Sequence, residues 1–152
     1  MAVTMSGEVV LPADKATVWA RLNDAETLKA AIPGCESLEK LSDTELQAAV
    51  KVTIGPVSAR FKGKVNLSDL DPPNSYRISG QGDGGIAGFA KGGANVKLAE
   101  ADGGGTKLHY DVDAQVGGKI AQLGGRLIDS TAKKLADEFF ANFAKALGGT
   151  TD

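Results

Sequence analysis

Apolar and polar residues alternate with a period of two through the middle of the chain, most clearly at Val57, Ala59, Phe61, Gly63, Val65 and Leu67. Such alternation predicts a strand with one dry face and one wet face. Leu46, Ala48, Val50, Val52 and Ile54 alternate likewise, and Gly55-Pro56 between the two runs predicts a hairpin turn. After Asp71-Pro72-Pro73-Asn74 the pattern resumes at Tyr76, Ile78, Gly80 and Gly82, and then at Ala94, Val96 and Leu98. Beyond the turn at 101–105 it continues through Leu108, Tyr110, Val112, Ala114 and Val116. With Thr4 to Val10 ahead of it and Cys35 to Lys40 between, seven antiparallel strands are expected.

Two stretches change to a helical period. Asp14 is placed to cap a helix over 15–22 that carries Val18, Trp19 and Leu22. Asp24 opens a second short helix through Ile32, because Leu28 and Ile32 lie four apart and Pro33-Gly34 stops the run. After Gly117-Gly118, the positions Ile120, Leu123, Leu127, Ile128, Thr131, Leu135, Phe139 and Phe143 form one stripe that ends near Leu147. That predicts a helix about 40 Å long, closed by Gly148-Gly149. The class is α+β. A seven-stranded sheet with one apolar face and one long helix to cover it must curl around that helix. The small inward residues Ala48, Ala59, Gly63, Gly80, Gly82, Ala94 and Ala114 underfill the space between. Either the layers close tightly there or a cavity remains, and the pattern favours a cavity. With no linker or repeat, residues 1–152 are expected to form one domain ending in a short flexible tail.

Composition narrows the function classes. A chain of 152 residues can bury roughly 70% of its unfolded surface, enough for a core plus a cavity. The net charge of −2 gives no bias toward nucleic acid. One cysteine, Cys35, and one histidine, His109, exclude an intrachain disulfide and leave no zinc ligand set. No secretory leader and no stretch of 18 apolar residues occurs, so the cytoplasm is the expected location.

Few residues offer chemistry. Gly80-Gln81-Gly82-Asp83-Gly84-Gly85 matches G-x-G-x-x-G, but a dinucleotide site needs a helix N-terminus after it, and 86–93 has no helical pattern. A kinked strand and a mobile loop at a cavity mouth are expected instead, with Ile86 and Phe89 as gating side chains. His109 falls on a polar strand phase, which predicts a surface imidazole. Cys35 follows a Pro-Gly turn with no neighbouring histidine to activate it. Tyr76 and Tyr110 fall on inward phases, either as core residues or as hydroxyl donors to a ligand carbonyl. Phe61, Ile78, Leu123, Leu127, Leu135 and Phe139 are the expected apolar lining. Gly124-Gly125 marks a late helix start, a close approach to the sheet, or a hinge. The outward phase carries Lys51, Arg60, Lys62, Lys64, Arg77, Lys97 and Lys107. It is a solvated face or a contact for an acidic partner or anionic lipid, with Arg60, Lys62 and Lys64 as contacts and the tip Ile54-Gly55-Pro56-Val57 as the insertion point.

Several local motifs together carry a resemblance: Val18-Trp19, Asn23-Asp24, Ile32-Pro33-Gly34-Cys35, Gly55-Pro56-Val57, Phe61-Lys62-Gly63 and Gly88-Phe89-Ala90-Lys91-Gly92. From about Met5 to Leu147 the chain resembles the carbon monoxide dehydrogenase G-subunit family, part of the START and polyketide cyclase superfamily. The resemblance implies a helix-grip (START-like) fold and a non-catalytic accessory role beside a molybdenum hydroxylase of the carbon monoxide dehydrogenase type. It also implies coupling of that enzyme to the membrane, with a bound quinone or other lipid as cargo and no covalent cofactor. A quinone tail needs apolar shelter to leave a bilayer. Longer relatives carry a hydrophobic C-terminal tail, whereas this chain stops at Thr151-Asp152. A transient, peripheral contact with the inner face of the cell membrane is therefore the expectation. The alternatives are a cyclase or hydrolase of the same superfamily and a structural adaptor without ligand. A cyclase needs acids, bases or amides facing the cavity, and the inward phases supply little beyond two tyrosines and Thr131.

Overall fold

The computed structural model describes residues 1–148. Strand β1 (Ala2–Leu11) leads into helices α1 (Lys15–Leu22) and α2 (Ala25–Ala31), and a meander follows. Its strands are β2 (Cys35–Ser42), β3 (Glu45–Ile54), β4 (Val57–Asp71), β5 (Ser75–Asp83), β6 (Phe89–Glu100) and β7 (Thr106–Gly117). Helix α3 (Gly125–Ala146) comes last. The sheet is antiparallel throughout in the order β1-β7-β6-β5-β4-β3-β2, so β1 and β2 are its edges. The expected tail lies outside the described residues.

Local chemistry explains the helix starts. Asp14 accepts a hydrogen bond from the Thr17 amide at 2.8 Å, and Asp24 accepts one from the Thr27 amide at 3.1 Å. Each satisfies one donor that the first turn leaves open. Hydrogen bonding to the Thr17 and Thr27 side chains, together with these amide bonds, holds both carboxylates below the usual aspartate range. Side-chain bonds then lock the layers together. The buried Thr106 hydroxyl donates to the Ala13 carbonyl at 2.7 Å, and the Asn142 amide donates to the Ala31 carbonyl at 3.1 Å, tying α3 to α2.

Glycines let the sheet bend. A Cβ on Gly63 would sit 1.9 Å from the Gln81 carbonyl oxygen, and one on Gly92 would sit 2.2 Å from that of Asp113. No side chain fits where the strands approach so closely, and glycine at these positions lets the sheet curl.

Three expectations need correction. The long helix is shorter, about 33 Å for its 22 residues, because residues Lys119–Leu123 form a separate 3₁₀ segment. Gly124 breaks the two apart with φ 97° and ψ 150°, a conformation open essentially to glycine alone. The loop after the glycine motif is also shorter, since Phe89 already belongs to β6 and only a three-residue 3₁₀ turn at Gly85–Ala87 precedes it. Finally, the hairpin tip offers less apolar surface than its sequence suggests. Ile54 is buried and Val57 half-buried in the core, which leaves Gly55 and Pro56 as the exposed tip residues.

The inward side chains divide into two clusters. One gathers Leu11, Val18, Leu22, Leu46, Leu67, Tyr76, Val96, Leu98, Leu108 and Phe143 beneath α1, α2 and the second half of α3. The other gathers Val3, Ile54, Ala87, Val116, Ile120 and Ile128 beneath the 3₁₀ segment and the start of α3.

Candidate functional site

The first cluster is incompletely filled and leaves a partly open cavity of about 360 Å³. Leu28 and Ile32 from the α2 region and Leu38, Leu46, Ala48 and Val50 from β2 and β3 form one wall. Val65, Leu67, Tyr76, Ile78, Ala94, Val96, Leu108, Tyr110 and Val112 form the sheet floor, and Ala136, Phe139 and Phe140 of α3 form the roof. Leu22 and Met5 complete it. The polar side-chain groups on this wall are two phenols.

Aromatic contacts hold those phenols in place. Trp19 meets Tyr76 edge to face at 5.2 Å, and Tyr110 stacks on Phe140 at 5.2 Å and 24°. Phe139 stacks in turn on Phe143 at 5.8 Å. Such pairs prefer these offset or edge geometries and add to burial. Tyr76 and Tyr110 share one lateral row of the sheet, each paired in register with Val96 between them. Tyr76 is only 4% exposed, and burial pushes its phenol far above the usual range. It is a neutral hydrogen-bond donor and not a base.

Four of the eight residues expected to bind ligand lie on the cavity wall: Tyr76, Ile78, Tyr110 and Phe139. Phe61, Leu123 and Leu127 pack instead in the second cluster, because the 3₁₀ segment and the first turn of α3 lay them against the β3–β4 hairpin. Leu135 is half-buried on α3 and does not reach the cavity. The expected mouth residues Ile86 and Phe89 lie beside the second cluster, 92% and 43% exposed, with the Phe89 ring packed where a side chain on Gly117 would be. Met5, Leu28, Ile32, Leu38 and Val112 line the cavity and were missed. Their signal was inward phase or helical spacing, and it gave no distance to α3.

The remaining candidates sit elsewhere. His109 is on the outer face, 43% exposed, with Nε2 3.4 Å from an Asp111 carboxylate oxygen. The Cys35 thiol donates to the Ser37 carbonyl at 3.4 Å, and burial raises its pKa, which keeps it protonated. The glycine motif lies on β5, antiparallel to both neighbours, with no helix after it to bind a phosphate. Thr131 spends its hydroxyl on the Leu127 carbonyl at 2.8 Å. Among the described residues no cluster of three His, Cys, Asp or Glu side chains is placed to hold a metal ion. On the outer face Arg60 forms a two-pronged ion pair with Glu36, and Arg77 meets Asp113 at 3.1 Å. Lys51, Lys62 and Lys64 have no ion pair among the described residues. No described helix is long and apolar enough to cross a membrane.

The family model for the carbon monoxide dehydrogenase G-subunit, CoxG, matches residues 7–148. The chain belongs to this family. No curated protein of known function matches it in sequence. Among solved structures, a conserved protein from Geobacillus kaustophilus is 29% identical and has a TM-score of 0.89, over 96% of this chain and 95% of its own. A START superfamily protein from Mycobacterium smegmatis shares the fold at TM-score 0.72 and 16% identity, over 95% of this chain and 97% of its own. An aromatase/cyclase from a Streptomyces species, R1128, does so at 0.70 and 11%, over 97% and 94%. This CoxG-family chain thus has the START-like, helix-grip architecture, with its cavity between the curved sheet and α3.

Proposed function

We propose that this chain is a non-catalytic accessory protein of a carbon monoxide dehydrogenase-type molybdenum hydroxylase, and that it couples the enzyme to the membrane by binding a respiratory quinone. The observation that carries this reading is the cavity of about 360 Å³, walled by apolar side chains apart from two phenols. An apolar ligand gains roughly 25 cal/mol for each Å² it removes from water there. Membership in the CoxG family supports the class of partner.

The wall chemistry supports a carrier over a catalyst. General acid–base work needs a group that titrates near the operating pH, whereas the buried Tyr76 phenol is held neutral. A cyclase would have to act with that phenol and Tyr110 alone. Cavity size bears on the cargo as well. A cavity of about 360 Å³ is in the range of small-molecule sites and large enough for a quinone ring system. The cavity is already partly open, and the Gly124 break before α3 offers a hinge for widening it as a longer ligand enters.

Membrane contact falls to the outer face. Lys51, Lys62 and Lys64 lack ion-pair partners among the described residues, Ile86 is the most exposed large apolar side chain, and Arg60 is already matched by Glu36. Near an anionic bilayer each free lysine contributes roughly 1 kcal/mol. The protein would then divide its time between the cytoplasm and the inner face of the cell membrane. Organic extraction of protein purified from its own cells tests the cargo. About one quinone per chain is expected. No bound lipid, together with no binding on quinone titration, would refute it.

A further inference from the structure

The Tyr76 side chain is more than nine-tenths buried, yet its hydroxyl makes no hydrogen bond within the chain among the described residues. No fully enclosed side-chain polar atom among those residues lacks a partner, so this hydroxyl borders free space, and Tyr76 lines the cavity. A donor that borders free space in so apolar a setting is satisfied only by what enters that space, a water or a ligand acceptor. Trp19 braces the ring edge to face, and the ring's Cα sits at the start of β5, on the sheet floor. The donor is thus rigidly placed in otherwise apolar surroundings. Tyr110, in the same lateral row, is less buried and lies against Gly7, where a Cβ would come within 2.5 Å of its hydroxyl.

We infer that the Tyr76 hydroxyl is the polar anchor of the cavity and that it selects flat, uncharged ligands bearing a hydrogen-bond acceptor, such as a ring carbonyl, over hydrocarbons of the same shape. This rests on the carrier reading above and adds the chemical class it admits. Charged ligands are disfavoured, because the wall holds no counter-charge and desolvating an ion there is expensive. A site that donates one hydrogen bond discriminates by leaving its donor unpaired when the acceptor is missing.

Two probes of matched shape, 1,4-naphthoquinone and naphthalene, should be titrated into the wild-type protein and the Tyr76→Phe variant. Loss of the hydroxyl is expected to weaken naphthoquinone about fivefold, the worth of one neutral hydrogen bond, and to leave naphthalene bound as tightly or more tightly. The carbonyl stretch of bound naphthoquinone should lie at lower frequency in the wild type than in the variant. Retained naphthalene binding shows that the variant is folded. Naphthoquinone affinity and carbonyl frequency unchanged by Tyr76→Phe, with both probes still bound, would overturn the anchor and leave the carrier intact. Failure of both probes to bind the wild type would overturn the carrier reading, and the anchor with it.

Discussion

The two halves of the layer between sheet and helix are built from the same inward pattern, yet one is closed and the other leaves empty space. In the closed half, Ile120, Leu123, Leu127 and Ile128 descend onto Ile54, Val57, Ala59, Phe61, Ala114 and Val116. Small sheet residues allow this: Leu127 comes so near Gly55 that a Cβ there would be 2.8 Å from it. In the open half, bulky residues on both layers hold the surfaces apart: the stacked rings of Tyr110 and Phe140 bridge them, and Phe139, Leu67, Ile78 and Val96 line the space beside that stack. Small residues thus close a layer where the helix can follow them down. A cavity persists where large rings prop it up and small residues such as Ala48 and Ala94 sit between the props.

Truncating α3 should show the largest difference. Phe143 is fully buried, so Phe143→Ala is expected to cost about 3–5 kcal/mol by denaturant unfolding. Phe139→Ala, one turn earlier, should cost clearly less, because one side of that ring already faces empty space. Equal losses would mean that the cavity collapses around both.

Enlargement should split the halves in the opposite sense. Ala114→Leu overfills the closed half and is expected to destabilise by about 1–3 kcal/mol. Ala94→Leu extends into the cavity, so its cost should stay under about 1 kcal/mol while ligand binding is lost. The junction between the halves is testable separately. At Gly124 a Cβ would meet nothing within 4 Å, so Gly124→Ala isolates the backbone conformation, at about 1–3 kcal/mol.

Acid should loosen the open half first. Asp14 and Asp24 cap the helices that contribute Leu22 and Leu28 to the cavity, and their folded pKa values are depressed by the hydrogen bonds to Thr17 and Thr27. A depressed carboxylate stabilises the fold above its unfolded value, about 3.9, and that stabilisation is lost as pH falls through the lower folded value. Hydrogen exchange of the α2 amides should therefore rise below about pH 4 before that of β3 and β4. Asp24→Asn, which keeps the cap without the charge, should flatten the trend.

How far the sequence showed this depends on which part is considered. Alternation placed the five central strands of the meander, and Asp14 and Asp24 marked both short helices, because period and capping are local properties. The division between closed and open halves was hidden, because an inward phase says nothing of how far away the opposing layer lies. Leu123 and Leu127 share a stripe with Phe139, yet the Gly124 break sends them to a different cluster. Ile54 looked like an exposed tip because a turn follows it, and only the packing of the 3₁₀ segment and early α3 against the hairpin reveals it as core. Tyr76 and Tyr110 were legible as inward phenols, while the unpaired state of the Tyr76 hydroxyl needed the three-dimensional surroundings.

Trp19, the chain's one tryptophan, packs edge-on against Tyr76 at the cavity wall, so its fluorescence reports on occupancy of the open half. Titrating a quinone into the wild-type protein and into Ala94→Leu tests the central claim most directly. Saturable quenching in the wild type, abolished in the cavity-filled variant, is the expected result. Quenching that never saturates, or that is the same in both proteins, would contradict a ligand site in this cavity.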